Sequence, residues 1–268
     1  MTASSSSSNL AVVTGASTGI GRALAEVFVE HGFDVVLAAN EPAVHDAAAE
    51  LGASGRQVVA VEVDLATAAG VEELYDRVRA QGRGVTAAAL NAGIGASGRF
   101  DQISLEADLE LVDLNVRSTV HLAKLLVRDM VDAGAGRILV TSSIAAVAPG
   151  PYHATYAASK AFVHSFAEGL RQELKDTGVT VTSLMPGPTD TEFFSRAGMG
   201  DTKLGQQEDK DDPRQVAEQG YDALMAGRSS VVAGSLSNRI QAELGTHLPD
   251  ALAAPLLARM TKPQDRVD

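Results

Sequence analysis

The stretch Leu10–Gly21, LAVVTGASTGIG, decides how the rest of the chain is read. Leu10–Thr14 is short, apolar and β-branched, which suits a strand buried on both faces of a parallel sheet. Gly15, Ser17, Thr18, Gly19, Ile20 and Gly21 then turn the chain into an amphipathic stretch running to His31. Glycines in such a turn permit positive φ and let an anionic group come close to backbone N–H groups. The unpaired N–H groups and positive dipole end of the following helix attract that anion. The spacing is G-x-x-x-G-x-G rather than G-x-G-x-x-G. An ordinary tight strand-to-helix turn would also use glycines.

Working outward, short apolar runs alternate with helical patterns along the chain. The predicted strands are Leu10–Thr14, Asp34–Ala38, Val58–Val61, Thr86–Leu90, Arg137–Thr141, Val179–Leu184 and Ser230–Ala233. Helical patterns include Ile20–His31, Pro42–Leu51, Thr67–Gln81, Leu105–Ala133 and His153–Asp176, with Leu236–Leu244 and Ala251–Met260 further on. Strands separated by helices imply right-handed crossovers, hence an α/β, Rossmann-like, doubly wound parallel sheet of about seven strands with helices on both faces. The serines Ser4–Ser8 offer nothing to bury, so residues 1–8 read as a disordered leader. Gln206–Asp212, QQEDKDD, reads as a solvated acidic loop between helices.

Composition narrows the partners. The 268 residues carry 22 Lys and Arg against 34 Asp and Glu, a net charge of −12, which argues against binding nucleic acid or an anionic membrane. There is no cysteine, so disulfides, thiolate metal sites and cysteine nucleophiles are excluded. No apolar run approaches the roughly 20 residues of a membrane span, and the first residues lack a signal-peptide pattern. The expected location is the cytoplasm. The six histidines form no H-x-x-x-H pair, so no metal site is expected, and His153 and His164 read as helix-surface or interface residues.

Several residues capable of chemistry fall at predicted strand ends, on the sheet edge where such folds bind ligands. Asp64 and Leu65 follow the third strand; Asp64 is placed either to accept from an adenine amino group or to cap the next helix. Asn91, Ala92 and Gly93 follow the fourth, small enough for a flat ligand to lie against backbone, or simply a turn. Ser142 and Ser143 end the fifth, where a hydroxyl can hydrogen-bond a developing alkoxide or satisfy a loop. Tyr156 and Lys160 are four residues apart near a helix start, and so emerge on one face. A nearby ammonium stabilises phenolate and lowers the phenol's pKa, fitting it to exchange a proton with a carbonyl or alcohol oxygen. Asn115, a mediocre helix former, sits inside Leu105–Ala133 and marks either a local irregularity or a solvated position.

In this order, TGASTGIG (14–21), DL (64–65), NAG (91–93), Asn115, SS (142–143), YAASK (156–160) and PGPTDT (186–191) resemble the short-chain dehydrogenase/reductase family in its single-domain form of about 250 residues. The resemblance covers about Leu10 to Ala233. It implies an NAD(P)-dependent oxidoreductase moving a hydride between the nicotinamide and an alcohol or ketone. It also implies a catalytic set matching Asn115, Ser143, Tyr156 and Lys160. Ser143 is preferred to Ser142 because its thirteen-residue distance from Tyr156 matches the family. The same resemblance gives Tyr156 the role of general acid/base. It has Lys160 bind the nicotinamide ribose, Asn115 hold a water of a proton relay, and Pro186, Gly187, Thr189 and Thr191 contact the carboxamide. Residues 9–268 then form one dinucleotide-binding catalytic domain with a C-terminal helical segment, and a homodimer or homotetramer is expected.

At the end of the second strand Ala39 stands where an NAD-selecting acid would fall, and Asn40 where many NADP users carry arginine. The missing acid favours NADP(H) over NAD(H), with Arg22 a possible contact. Ala145–Tyr152, Phe193, Phe194 and Met199 read either as an apolar pocket wall or as packing against the domain. Ala157, Ala158, Ala161, Phe162 and Phe166 make the Tyr156 helix apolar enough to serve both core and subunit contact. The competing reading is a catalytically silent dinucleotide-sensing protein of the same fold, which would be expected to lose Tyr156 or Lys160. A sugar-nucleotide epimerase or dehydratase would be expected to carry a longer C-terminal segment.

Overall fold

A computed structural model describes residues 9–238, 240, 242 and 249–263. The serine leader, and much of the helix expected over residues 236–244, lie outside the described residues; 236–238, 240 and 242 are helical.

Seven parallel strands form one sheet in the order β3-β2-β1-β4-β5-β6-β7. In chain order they are β1 (Leu10–Thr14), β2 (Asp34–Ala39), β3 (Val58–Glu62), β4 (Val85–Leu90), β5 (Gly136–Thr141), β6 (Val179–Pro186) and β7 (Ser230–Ala233). The helices are α1 (Gly19–Glu30), α2 (Ala43–Gly52), α3 (Ala68–Arg79), α4 (Leu105–Val112), α5 (Thr119–Ala133), α6 (Ala154–Glu173), α7 (Phe193–Arg196), α8 (Pro213–Met225) and α9 (Asp250–Thr261).

The continuous apolar strands are explained by two cores. Side chains alternate across a strand, so Ala11 and Val13 enter one core while Leu10 and Val12 enter the other. The first core packs the sheet against α1 and α8, where Phe28, Phe33 and Tyr221 meet edge to face, with Phe28 lying 5.2 Å from Phe33 and 5.3 Å from Tyr221. The second packs it against α3, α5 and α6 through Leu74, Leu122, Leu126, Met130 and Val163. Burying one such side chain contributes about 1.5–3 kcal/mol.

Two expectations change. The pattern Leu105–Ala133 is not one helix: a π-helical turn at Asp113–Ser118 separates α4 from α5, and Asn115 sits in it. The acidic run 206–212 is not wholly solvated. Asp211 is buried; it pairs in a parallel bridge with Thr189, accepts from Ser235 N–H at 2.8 Å, and takes a second hydrogen bond from Asn238. It thereby ties the loop after β6 to the segment after β7. Asp212 next to it caps α8 by accepting from Arg214 N–H.

Candidate active site

The C-terminal ends of β1, β2, β4, β5 and β6 open into a cavity of about 630 Å³, within the range of about 300–1,000 Å³ usual for small-ligand clefts. At one end lies the glycine turn. Gly15 and Gly19 adopt φ of +64° and +56°, values that a side chain would strain. At Gly21 a Cβ would fall 1.9 Å from the Gly15 carbonyl and 2.6 Å from Asn91 Nδ2, so only glycine lets α1 start this close to β1 and β4. Thr18, the N-cap of α1, makes no side-chain capping bond, and the first turn carries no acid. Its N–H groups therefore remain available to an anion.

Asn91 is the cross-tie beneath this floor. Its Nδ2 donates to the Thr14 carbonyl at 3.1 Å, its Oδ1 accepts from Thr141 Oγ1 at 3.1 Å, and its N–H donates to Thr14 Oγ1 at 2.9 Å. One side chain thus binds β1, β4 and β5 together, and Ala92 and Gly93 present backbone to the cavity. Asp64 also lines it, but Thr67, not Asp64, caps α3; Asp64 holds its own turn by accepting from Ala66 N–H at 2.9 Å.

The other end is built on α6. Lys160 is 5% exposed, and its Nζ donates to the Thr141 carbonyl at 3.0 Å while lying 5.8 Å from the Tyr156 ring centroid. Burial pushes its ammonium down to about 8. The same cause pushes the half-buried Tyr156 phenol up to about 12, opposed by a hydrogen bond from Ser143. Tyr156 and Lys160 therefore share one face, but the phenol is held above rather than below its ordinary value, burial outweighing the Ser143 hydrogen bond. Both serines line the cavity, but their hydroxyls differ: Ser142 is buried and donates to the Lys160 carbonyl at 2.8 Å, pinning α6 to the end of β5, whereas the Ser143 hydroxyl lies beside Tyr156.

Asn115 does not line the cavity. Buried in the π turn, it accepts from Ile94 N–H at 2.9 Å and donates to the Ile94 carbonyl at 2.9 Å and to Ser159 Oγ at 3.0 Å. A Cβ on Gly93 would lie 3.0 Å from Asn115 Oδ1 and 3.2 Å from Lys160 Nζ, so both press on the same point of backbone. Pro186, Gly187, Thr189 and Thr191 close the cavity from β6, held by the Asp211 clamp.

The rest of the lining mixes expected residues with Glu41, Arg196, His153, Leu257 and Met260, which the sequence did not place there. Asn40 is exposed at the cavity edge, but beside it Glu41 accepts from Ser17 Oγ and pairs with Arg196 at 3.3 Å. Arg22 points elsewhere, paired with Glu26 at 2.9 Å and Glu50 at 2.7 Å. His153 is buried against the cavity rather than on the surface, and His164 bonds Ser183 of β6 at 2.9 Å. Phe194 and Met199 serve both expected ends at once, packing with Ala197 in a small cluster while lining the cavity. Leu257 and Met260 of α9 line it too, and α9 is anchored by Thr261 Oγ1 donating to the Pro151 carbonyl at 2.8 Å. No local pattern in the sequence relates α9 to the Pro149–Tyr152 turn, more than a hundred residues earlier.

A doubly wound parallel sheet with a glycine turn at its C-terminal edge defines an α/β protein of the Rossmann type. The family profile described as short chain dehydrogenase matches residues 9–200, and the chain belongs to that family. It is 33% identical over 217 residues to an uncharacterized oxidoreductase of Staphylococcus saprophyticus, covering 80% of this chain and 90% of that one. It is 35% identical over 191 residues to the oxidoreductase EphD of Mycobacterium tuberculosis, and that match spans 70% of this chain but only 32% of the relative. A short-chain dehydrogenase from Sphingobium yanoikuyae, solved in complex with NADPH, superposes with a TM-score of 0.79 at 28% identity, covering 97% of this chain and 100% of that one.

Proposed function

We propose that this protein is an NAD(P)-dependent oxidoreductase that interconverts an alcohol and a ketone. The observation that carries the reading is the gathering of Tyr156, Ser143 and Lys160 on one wall of the cavity that begins at the uncapped start of α1. The residues fit a dinucleotide: glycines clear the approach, free N–H groups suit a pyrophosphate, and Gly93 leaves space beside Lys160 that a Cβ would fill. When bound, the nicotinamide supplies or takes up the hydride. Tyr156 gives its proton to the substrate carbonyl oxygen as negative charge develops there, and Ser143 Oγ–H donates to the same oxygen. Lys160 stabilises the phenolate left behind and holds the ribose. Asn115 is a positioning residue that fixes the Ile94 backbone and, through Ser159, the start of α6.

NADP(H) is favoured over NAD(H). Ala39 carries no acid, the related Sphingobium protein was solved with NADPH, and Arg196 supplies a cation near the strand end. Glu41 opposes this preference and sets its size. The exposed Leu105 and Leu109 of α4 and Phe162 of α6 offer an apolar face for a second copy.

The test is a panel of ketones and alcohols followed at the reduced-nicotinamide absorbance, with Tyr156→Phe alongside. Phenylalanine keeps the ring contact with Phe193 at 5.2 Å, so kcat falls about 10²- to 10⁴-fold while the cofactor Kd is unchanged. Equal kcat in the variant refutes the assignment.

A further inference from the structure

Three stretches far apart in the chain close one chamber around Tyr156. Phe193 of α7 lies 5.2 Å from the Tyr156 ring, centroid to centroid, and packs against the cluster of Phe194, Ala197 and Met199. Leu204 joins that cluster, and its N–H donates to the Met260 carbonyl of α9 at 3.1 Å. From α9, Thr261 Oγ1 donates to the Pro151 carbonyl at 2.8 Å. His153, the N-cap of α6, brings the wall back to Tyr156, with its ring centroid 6.2 Å away.

Helix α9 turns one face into this chamber. Ala253, Leu256, Leu257, Met260 and Thr261 line the cavity, at the spacing of three and four residues that keeps side chains on one stripe of a helix. The Met260 carbonyl is one of the last four of the helix, which find no partner within it. Leu204 supplies that partner, so two hydrogen bonds to separate stretches fix the stripe in place. The loop after Ser143 adds Val147, Ala148 and Pro149 to the lining. Leu256 lines the cavity while 57% exposed, which places the mouth beside it.

Charge is kept away from this end. Among the described lining residues, Glu41 and Glu192 both pair with Arg196, towards the glycine turn where Glu41 also accepts from Ser17 Oγ. Asp64 holds its own turn after β3, and the buried Lys160 is held on the Thr141 carbonyl. Burial keeps the His153 imidazole below its ordinary pKa, so it is uncharged at pH 7. An apolar chamber gains most from an apolar guest, whereas an ionised guest loses its hydration with no counter-charge to meet. Resting on the oxidoreductase reading, we propose that the substrate is an uncharged ketone, or the matching alcohol, carrying an extended apolar chain from the reacting carbon towards Leu256, and that Leu257 and Met260 select it. Their role is recognition by contact with that chain; proton transfer stays with Tyr156.

The experiment measures dead-end binding, which needs no turnover. Protein saturated with NADP⁺ is titrated calorimetrically with 2-butanone, 2-hexanone, 2-octanone and 7-oxooctanoate, the last being 2-octanone with its far end oxidised to a carboxylate. Kd falls about three- to fourfold per added methylene, or about 10²-fold from 2-butanone to 2-octanone. The carboxylate binds at least about tenfold more weakly than 2-octanone. Leu257→Lys reverses that last preference, and Leu257→Ala with Met260→Ala flattens the dependence on chain length. Should the lysine variant fail to fold, the alanine pair carries the comparison, and the wild-type series alone decides the substrate class. A Kd independent of chain length, a carboxylate bound as tightly as 2-octanone, or no binding of any ketone overturns the assignment. A chain-length dependence unchanged in the folded alanine pair removes α9 from the selection. Turnover is measured separately. No turnover with the chain-length dependence intact sinks the proposed reaction and leaves the chamber's preference standing, and turnover with a flat dependence does the reverse.

Discussion

Replacing Lys160 by methionine separates what this residue does for activity from what it costs the fold. The side chain is 5% exposed, and burial pushes its ammonium from 10.5 to about 8. At 1.36 kcal/mol per unit, a charge held this far below its unfolded value costs the native state about 3 kcal/mol at pH 7. The hydrogen bond from Nζ to the Thr141 carbonyl, at 3.0 Å, returns part of it, about 1.5–3 kcal/mol for a charged donor. Methionine fills similar volume without charge. Lys160→Met is therefore expected to raise Tm at pH 7 by about 2–4 °C, equivalent to about 1 kcal/mol in a chain of this size, while turnover falls below a hundredth.

The pH dependence distinguishes this account from simple repacking. Folded Lys160 releases its proton near pH 8, before the unfolded chain does near 10.5, so the penalty is complete below pH 8 and fades as pH rises through that window. The advantage of the methionine variant should shrink between pH 7 and pH 10 in scanning calorimetry. A variant destabilised at pH 7, or a difference that does not change with pH, refutes the reasoning.

The other expected outcomes are more direct. Glu41→Gln removes a carboxylate from the cavity edge and releases Arg196 from one partner. Removing one nearby like charge is worth about 1–2 kcal/mol, so the ratio of NADH to NADPH Kd, read by cofactor fluorescence, should rise about five- to thirtyfold, and an unchanged ratio excludes Glu41 from the choice. Gly21→Ala places a methyl 1.9 Å from the Gly15 carbonyl; urea unfolding should show a loss of about 1–3 kcal/mol, together with weaker cofactor binding, and a variant as stable as the wild type contradicts the close-packing argument.

The parallel sheet was legible because strands buried on both faces must be apolar at every position, as in Ala11-Val12-Val13, and because glycine punctuates the first turn. Three of the proposed chemical residues, Ser143, Tyr156 and Lys160, could be picked out as candidates because they lie on short local patterns at a strand end or a helix start. The helix break at Asp113–Ser118 was only half visible: Asn115 is a weak helix former, but its bonds to Ile94 and Ser159 come from distant segments. Asp211 misled because an acidic run reads as solvated, and nothing in its neighbours in sequence discloses Ser235 and Asn238.

Local sequence by itself determined the architecture and named the candidate groups for chemistry, since period, glycine placement and helical spacing act over a few residues. The protonation states and the walls of the cavity were decided only by tertiary structure. Tyr156 is driven up rather than down because desolvation depends on everything packed around it, not on a lysine four residues away. His153, Glu41 and Arg196 enter the cavity because loops separated by scores of residues converge there, and burial and charge pairing are properties of that convergence.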